Sequence, residues 1–295
     1  MISILGASGY VGSALVKFLD ENQERYTTYT TRFPLDRSDF KRHLIKNGVE
    51  TVINCAGFTG KPNVDECEKE GLKVECLNAN ALLPRMIADV CNDLGIRMVH
   101  VSSGCIFTDA MCDKGSKPFE EFTEEFEPNF TFMNNNCSWY SGTKALGEQL
   151  LREDALIARL RIPFNGEVNP RNYITKVIQY PKLLNATNSF SQLDEFVAAL
   201  FQLANRYSRG PINLTQPGYM TTMEVVKMLR KYHLLDKAKD WFSSNEEFLS
   251  HVIAPRSNCV LDSSHAIREG IILTPIQDAM EEAISKYAYN LTKTK

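Results

Sequence analysis

Apolar residues fall into short unbroken runs separated by longer amphipathic stretches, the alternation that builds a parallel sheet flanked by helices. Residues 2–5 (ISIL) form one such run and lead into a glycine-rich turn and an apolar helix, ALVKFL. YTTYTTR (26–32) predicts a second strand, and LDRSDFKRHLIKNG (35–48) a helix capped by Ser38 and ended by Gly48. ETVINCAG (50–57) predicts a third, buried strand, followed by the turn GFTGKPNVDECE and one helix running to Gly95 with Asn80 inside it. IRMVHVSS (96–103) predicts the next strand and delivers SSGCIF to its carboxyl end, and LIARLRIPF (156–164) another. The acidic run FEEFTEEFEP (119–128) reads as a solvated loop. Strands alternating with helices in this way predict an α/β fold with a doubly wound parallel sheet.

After residue 164 the pattern loosens into short helices punctuated by NPRNYITK (169–176), SQLDEF (191–196), NLTQPG (213–218) and APRSNCVLD (254–262). The expected division is a dinucleotide-binding domain over 1–164 and a smaller substrate-binding portion over 165–295. Part of 182–215 is expected to return to the main sheet.

The turn after the first strand reads G-x-x-G-x-x-G, with Gly6, Gly9 and Gly12. Between a strand and a helix, such glycines allow a tight turn, close approach of backbone to a pyrophosphate, and close helix–strand packing. Gly6, Ser8, Gly9, Tyr10, Val11 and Gly12 are therefore the expected cofactor contacts, with Ala56 at the end of the third strand, and Tyr140 and Lys144 are expected beside the nicotinamide, Lys144 on its ribose. A site favouring NAD carries a carboxylate at the end of the second strand. Here Thr31-Arg32 stands instead, and an arginine can pair with a 2′-phosphate. NADPH is the expected cofactor, with NADH as the alternative and ordinary surface as the other reading of Arg32. Asp36 is placed beside the adenine.

Tyr140 and Lys144 lie one helical turn apart on a single face. A lysine ammonium beside a phenol stabilises the phenolate, giving an acid able to protonate an alkoxide. Taken alone the pair is equally an ordinary solvated helix surface. Ser103, at a strand's carboxyl end, offers a hydroxyl where ligands of doubly wound sheets bind.

Composition narrows the partners. The chain has 295 residues, 43% of them hydrophobic, and a formal net charge of −3. That charge gives no reason to expect nucleic acid or an anionic membrane. No apolar run approaches the ~20 residues of a membrane span, and no basic segment precedes an apolar one as in a signal peptide. The eight cysteines form no C-x-x-C pair and no zinc-like cluster with the five histidines, so no metal is expected. Reduced thiols in a cytoplasmic setting are the expectation.

GASGYVG, NCAG, Ser102-Ser103 and Tyr140-x-x-x-Lys144 together resemble an extended short-chain dehydrogenase/reductase. More narrowly, GFTGKPNVDECE, SGCIF, PNF, NPRNYITK, LDE, NLTQPG and APRSN resemble, in order, the blocks of the nucleotide-rhamnose synthase epimerase/reductases. Ser103 and Lys61 stand where that group leads one to expect threonine and arginine. The resemblance implies conversion of UDP-4-keto-6-deoxyglucose to UDP-rhamnose, with a UDP-glucose 4,6-dehydratase acting upstream as a separate protein and a homodimer as the assembly. It also implies Cys105 and Lys176 as the epimerising acid/base pair. From the residues alone, Cys105 is as readily a small buried side chain and Lys176 a surface lysine. Arg256 is expected on the nucleotide diphosphate, Asn172 on the sugar or a phosphate, and Thr59 and Asn63 along the sugar pocket. Asn80 is read as structural or as the holder of a relay water. The rival readings are a deoxythymidine-diphosphate-type reductase without epimerase activity, a guanosine-diphosphate-fucose synthase, and a non-catalytic dinucleotide-binding subunit.

Overall fold

The computed structural model describes residues 1–108, 121–206 and 209–293. Its centre is a six-stranded, all-parallel sheet in the order β11-β6-β4-β3-β1-β2. The strands are β1 (Ile2–Leu5), β2 (Tyr26–Tyr29), β3 (Thr51–Asn54), β4 (Arg97–Ser103), β6 (Leu156–Leu160) and β11 (Gly210–Asn213). Between β4 and β6 the chain adds β5 (Glu121–Phe122), a two-residue pairing partner of β14 (Val260–Leu261). Every residue of β1 and β3 is buried, as strands covered by helices on both faces must be.

On one face α1 (Tyr10–Glu21) packs against α7 (Leu193–Ala204), where Leu15, Leu19, Phe196 and Leu200 meet Ile4, Ile53 and Val99 of the sheet. On the other face α2 (Arg37–Lys46) and α4 (Leu83–Leu94) bury Phe40, Leu44, Ile87 and Val90 over Leu5, Val52 and Ile157. Fully burying one such side chain contributes ~1.5–3 kcal/mol, so these two layers carry the fold. α3 (Glu70–Leu77) and α5 (Trp139–Leu151) pack beside α4.

A third core unites α6 (Tyr173–Gln179), α8 (Thr222–Lys231) and α11 (Ile276–Lys293) around Phe164 and Phe190. Short pairings tie this part together: β7 (Pro163–Phe164) with β10 (Ser191–Gln192), β8 (Lys182–Leu183) with β13 (Asp240–Trp241), and β9 (Thr187–Asn188) with β12 (Met220–Thr221). The small helices α9 (Asn245–His251) and α10 (Ser264–Arg268) complete it.

Several boundaries differ from expectation. β2 stops at Tyr29 because its only neighbour, β1, ends at Leu5, where Gly6 turns the chain at φ +74°. α2 is capped by Asp36, whose carboxylate accepts from the backbone N–H of Asp39 at 2.9 Å; Ser38 lies within the helix, and Gly48 (φ +59°) follows its end. The expected single helix before Gly95 is a 3₁₀ turn (Val64–Glu68), then α3, a π-turn (Asn78–Leu82) and α4. The run 156–164 divides at Ile162, whose φ of +37° takes it out of strand geometry. Of the acidic run, residues 119 and 120 lie outside the described residues. Glu124 is not simply solvated, since it accepts from the backbone N–H of Asn213 at 2.7 Å.

Candidate active site

The glycine turn sits at the carboxyl ends of β1 and β3, neighbours from which the sheet winds in opposite directions; such a switch point opens a ligand crevice. A Cβ on Gly12 would come to 2.1 Å from the carbonyl oxygen of Gly6, and one on Gly6 to 2.5 Å from the backbone nitrogen of Ala56. The turn therefore closes only with glycine at both places. α1 begins at Gly9 with no side-chain cap and no acidic residue in its first turn. Its first N–H groups are left for an anion, as a dinucleotide pyrophosphate requires. Ser8 and Gly9 are exposed at this turn, while Tyr10 and Val11 are half-buried and pack on the core under α1. Arg32 is exposed just past β2. The Asp36 carboxylate is occupied in capping α2.

β4 and α5 bring Ser103, Tyr140 and Lys144 together. Ser138 caps α5, its oxygen accepting from the N–H of Ser141 at 3.1 Å. The helix then presents Tyr140 and Lys144 toward the end of β4. Ser103 lies beside Tyr140, drawing its phenol down, and accepts from the backbone N–H of Cys105 at 3.2 Å. Lys144 is buried and donates to the carbonyl of Val101 at 3.1 Å.

Burial pushes the Tyr140 phenol well above its ordinary value, Cys105 raises it further, and Ser103 draws it down. Burial in turn lowers the Lys144 ammonium below its usual range, against the pull of Cys105 and Glu148. In the free chain Lys144 anchors α5 to β4, and the phenol stays protonated.

Asn80, inside the π-turn, fastens the opposite wall. Its carboxamide accepts from the backbone N–H of Phe58 at 2.8 Å and donates to the carbonyl of Phe58 at 2.9 Å and to Thr143 Oγ1 at 3.1 Å. This holds the loop after β3 against α5 and settles the residue's role as structural. Asn80→Ala is expected to cost ~1–3 kcal/mol, because buried partners lose their bonds, and a thermal melt against the unaltered protein checks it.

Cys105 is buried beside Tyr140 in a small cluster with Phe107, Phe122, Cys259 and Leu261. Burial raises its thiol, while bonds from Ser103 and Ser141 and the charges of Arg161 and Lys144 draw it down. Lys176, on α6, is half-buried; burial lowers its ammonium, and the neighbouring charges of Arg171 and Arg256 lower it further. Arg256 is paired with Asp65 at 2.7 Å and donates to the carbonyl of Ala254. Thr59 accepts from Arg171, which also donates to the carbonyl of Gly60 at 2.8 Å. Asn63 caps the 3₁₀ turn by accepting from the N–H of Asp65 at 2.9 Å.

Asn172 does not face the crevice. Its side chain is fully buried, its oxygen accepts from Ile174 N–H at 3.0 Å, and its nitrogen donates to the carbonyls of Asn165 and Glu167, each at 2.7 Å. With both ends of the amide used, it shapes the 165–172 loop and is not a substrate contact. Asn165 in turn accepts from the Tyr10 hydroxyl at 3.4 Å, which links this loop to the dinucleotide turn.

Three features were not anticipated. Arg171 joins Lys176 and Arg256 in a cluster of cations. A buried pair, Glu148 and Arg159 at 2.9 Å, also receives the Ser102 hydroxyl at 2.5 Å, so α5, β4 and β6 are locked next to Ser103. Arg161 is buried beside Cys105. Their only trace in the sequence is a charge within an otherwise apolar strand, or inside the NPRNYITK block. Among the described residues no His/Cys/Asp/Glu group fits a metal ion, and no helix is long and apolar enough to cross a membrane.

Residues 1–183 match the family described as RmlD substrate binding domain. An Arabidopsis thaliana protein named bifunctional dTDP-4-dehydrorhamnose 3,5-epimerase/dTDP-4-dehydrorhamnose reductase is 34% identical over 98% of this chain and 93% of its own length. The chain belongs to this family of extended short-chain dehydrogenases/reductases. A trifunctional UDP-glucose 4,6-dehydratase/UDP-4-keto-6-deoxy-D-glucose 3,5-epimerase/UDP-4-keto-L-rhamnose-reductase of Arabidopsis thaliana is 36% identical over 98% of this chain, which spans only 42% of that relative. The crystal structure of a UDP-rhamnose synthase from Acanthamoeba polyphaga mimivirus superposes with a TM-score of 0.87 at 27% identity, covering 97% of this chain and 98% of that one. A Bacillus anthracis dTDP-4-dehydrorhamnose reductase in complex with NADP shares the fold at a TM-score of 0.74 and 19% identity. The uncapped start of α1 and the glycine turn fit a dinucleotide cofactor.

Proposed function

We propose that the chain is a bifunctional 3,5-epimerase/4-reductase that converts UDP-4-keto-6-deoxy-D-glucose to UDP-L-rhamnose. The observation that carries this reading is that Cys105 packs against Tyr140 and next to Ser103, so a thiol able to transfer protons sits beside the groups that would handle the keto oxygen. A plain reductase has no use for that thiol.

The C–H bonds flanking the keto carbon are acidic. Removing either proton leaves an enolate on the keto oxygen, where Ser103 and Tyr140 donate hydrogen bonds. Cys105 and Lys176 act as base and acid: one takes the proton, and return to the opposite face inverts the carbon. The lowered ammonium of Lys176 makes its neutral, basic form more available near neutral pH. When bound, NADPH supplies hydride to the keto carbon. Tyr140 then gives its proton to the resulting alkoxide. Arg256, together with Arg171, meets the diphosphate, and Thr59 and Asn63 border the sugar.

The keto sugar is supplied by a 4,6-dehydratase. The working form is a homodimer in the cytoplasm, where the seven described free cysteines stay reduced.

One incubation of the keto sugar with NADPH in deuterium oxide tests the reading. Deuterium at both carbons flanking the keto group of the rhamnose product is expected. NADPH oxidation without deuterium at either carbon means a reductase only.

Arg32→Ala is expected to raise KM for NADPH about 10- to 100-fold and leave KM for NADH nearly unchanged, since a hydrogen-bonded charge pair contributes ~1.5–3 kcal/mol. Steady-state kinetics with each cofactor checks it.

A further inference from the structure

Arg161 stands where the chain leaves the sheet between β6 and β7. Its backbone is pinned to Ser191 in both directions, its N–H donating to Ser191 Oγ at 3.0 Å and its carbonyl accepting from Ser191 N–H at 2.7 Å. The next residue, Ile162, holds φ at +37°, a conformation that β-branched side chains rarely adopt and that persists only where the surroundings enforce it. The Arg161 side chain is only 6% exposed. A Cβ on Gly104 would lie 3.3 Å from its Cδ, so the side chain runs directly behind the backbone that carries Cys105.

The guanidinium is held by neutral groups, Nη2 donating to Asn188 Oδ1 and to the carbonyl of Ser257. Neither cancels its charge. Its Nε is the one buried side-chain nitrogen or oxygen among the described residues with no hydrogen-bond partner. Leaving a buried donor unmatched has a cost that packing alone does not explain.

We propose that Arg161 is a positioning residue for epimerisation, a fixed and uncancelled cation behind Gly104 that stabilises Cys105 as a thiolate inside an apolar pocket. The inference rests on the reading of Cys105 as an acid/base group. In the step it serves, the thiolate takes a proton from a carbon flanking the keto group. An S–H bond forms, the C–H bond breaks, and the electron pair moves to the keto oxygen as an enolate.

The other groups facing Cys105 are the hydroxyls of Ser103 and Ser141, the Tyr140 phenol, the Lys144 ammonium and the thiols of Cys137 and Cys259, the last donating to the carbonyl of Gly104 at 3.2 Å. Tyr140 stays neutral, and Lys144 is engaged with Val101. Arg161, whose Cδ would lie 3.3 Å from a Cβ on Gly104, is a nearby cation not committed to the α5–β4 anchor.

The test is the pH dependence of Cys105 alkylation by iodoacetamide in the full chain without substrate, read by peptide mass spectrometry. Arg161→Met and Asn188→Asp are expected to raise the pH midpoint by about one unit or more, as loss or cancellation of a nearby opposite charge does. Arg161→Lys, which keeps a cation, is expected to stay near the unaltered protein. Asn188→Asp keeps the oxygen that faces Arg161 and the Cys259 N–H, so it decides the matter even if Arg161→Met fails to fold. An unmoved midpoint in folded Asn188→Asp overturns the proposal. Cys105→Ser assayed for deuterium exchange separates the two readings. Exchange lost in Cys105→Ser with an unmoved midpoint in Asn188→Asp removes Arg161 alone, whereas exchange retained in Cys105→Ser removes the epimerase reading and Arg161's role with it.

Discussion

Tyr140→Phe is expected to lower reduction of the keto sugar about 10²- to 10⁴-fold while leaving NADPH affinity unchanged. The substitution removes one hydroxyl and keeps the ring that packs on Cys105 and the Phe107–Phe122 cluster. The phenol is raised by burial, so it enters the reaction protonated. That suits a group that must give a proton to an alkoxide, which is a stronger base than a phenolate. Ser103 neighbours Tyr140 but has no comparable acidity, so it cannot replace the lost donor. Lys144 is held on the Val101 carbonyl and anchors the helix whether or not the hydroxyl is present. Cofactor fluorescence titration should therefore match the unaltered protein while NADPH oxidation collapses. Reduction retained within a few-fold would remove Tyr140 from the acid role.

The parts of the fold that the sequence made legible are those in which local pattern and tertiary environment agree. β1 and β3 are continuous apolar runs because helices cover both faces, and Gly6 and Gly12 are required by contacts with residues close in sequence or on the adjoining strand. Ser103, Cys105, Tyr140 and Lys144 converge because a parallel sheet delivers its ligand-facing residues to one edge. What stayed hidden depends on partners distant in the chain. Nothing around Arg159 announces that Glu148, 11 residues earlier, will neutralise it in the core. Nothing around Ile162 announces a positive φ, which the Arg161–Ser191 bonds impose. Asn172 was misplaced for a related reason: a block of residues can be familiar while the direction of one amide is fixed by carbonyls at 165 and 167. Asp36 caps its own helix, a role that the free N–H groups at the start of α2 require.

Lys176→Met and Cys105→Ala are each expected to lower deuterium exchange at one or both carbons flanking the keto group by about 10²-fold or more. Each should leave reduction of an already epimerised UDP-4-keto-rhamnose within a few-fold of normal. The separation follows from the elements: Lys176 lies on α6, whereas Tyr140 and Ser103 lie on α5 and at the end of β4, and neither variant alters Tyr140 or Ser103. Lys176 also fixes the sign of the pH response. A lysine serves as base only when neutral, so exchange rises with pH through its ionisation. Burial first, then the charges of Arg171 and Arg256, place that ionisation below the ordinary lysine value of 10.5. Arg171→Gln withdraws one of those charges and should move the rising limb toward higher pH, so exchange at neutral pH falls while the rate at high pH recovers. A limb that stays in place would mean that the cation cluster does not tune Lys176, and exchange unaffected by Lys176→Met would remove it as the base. Reduction lost together with exchange in both single variants would mean that the two reactions share one proton-transfer apparatus, with no separate epimerising pair.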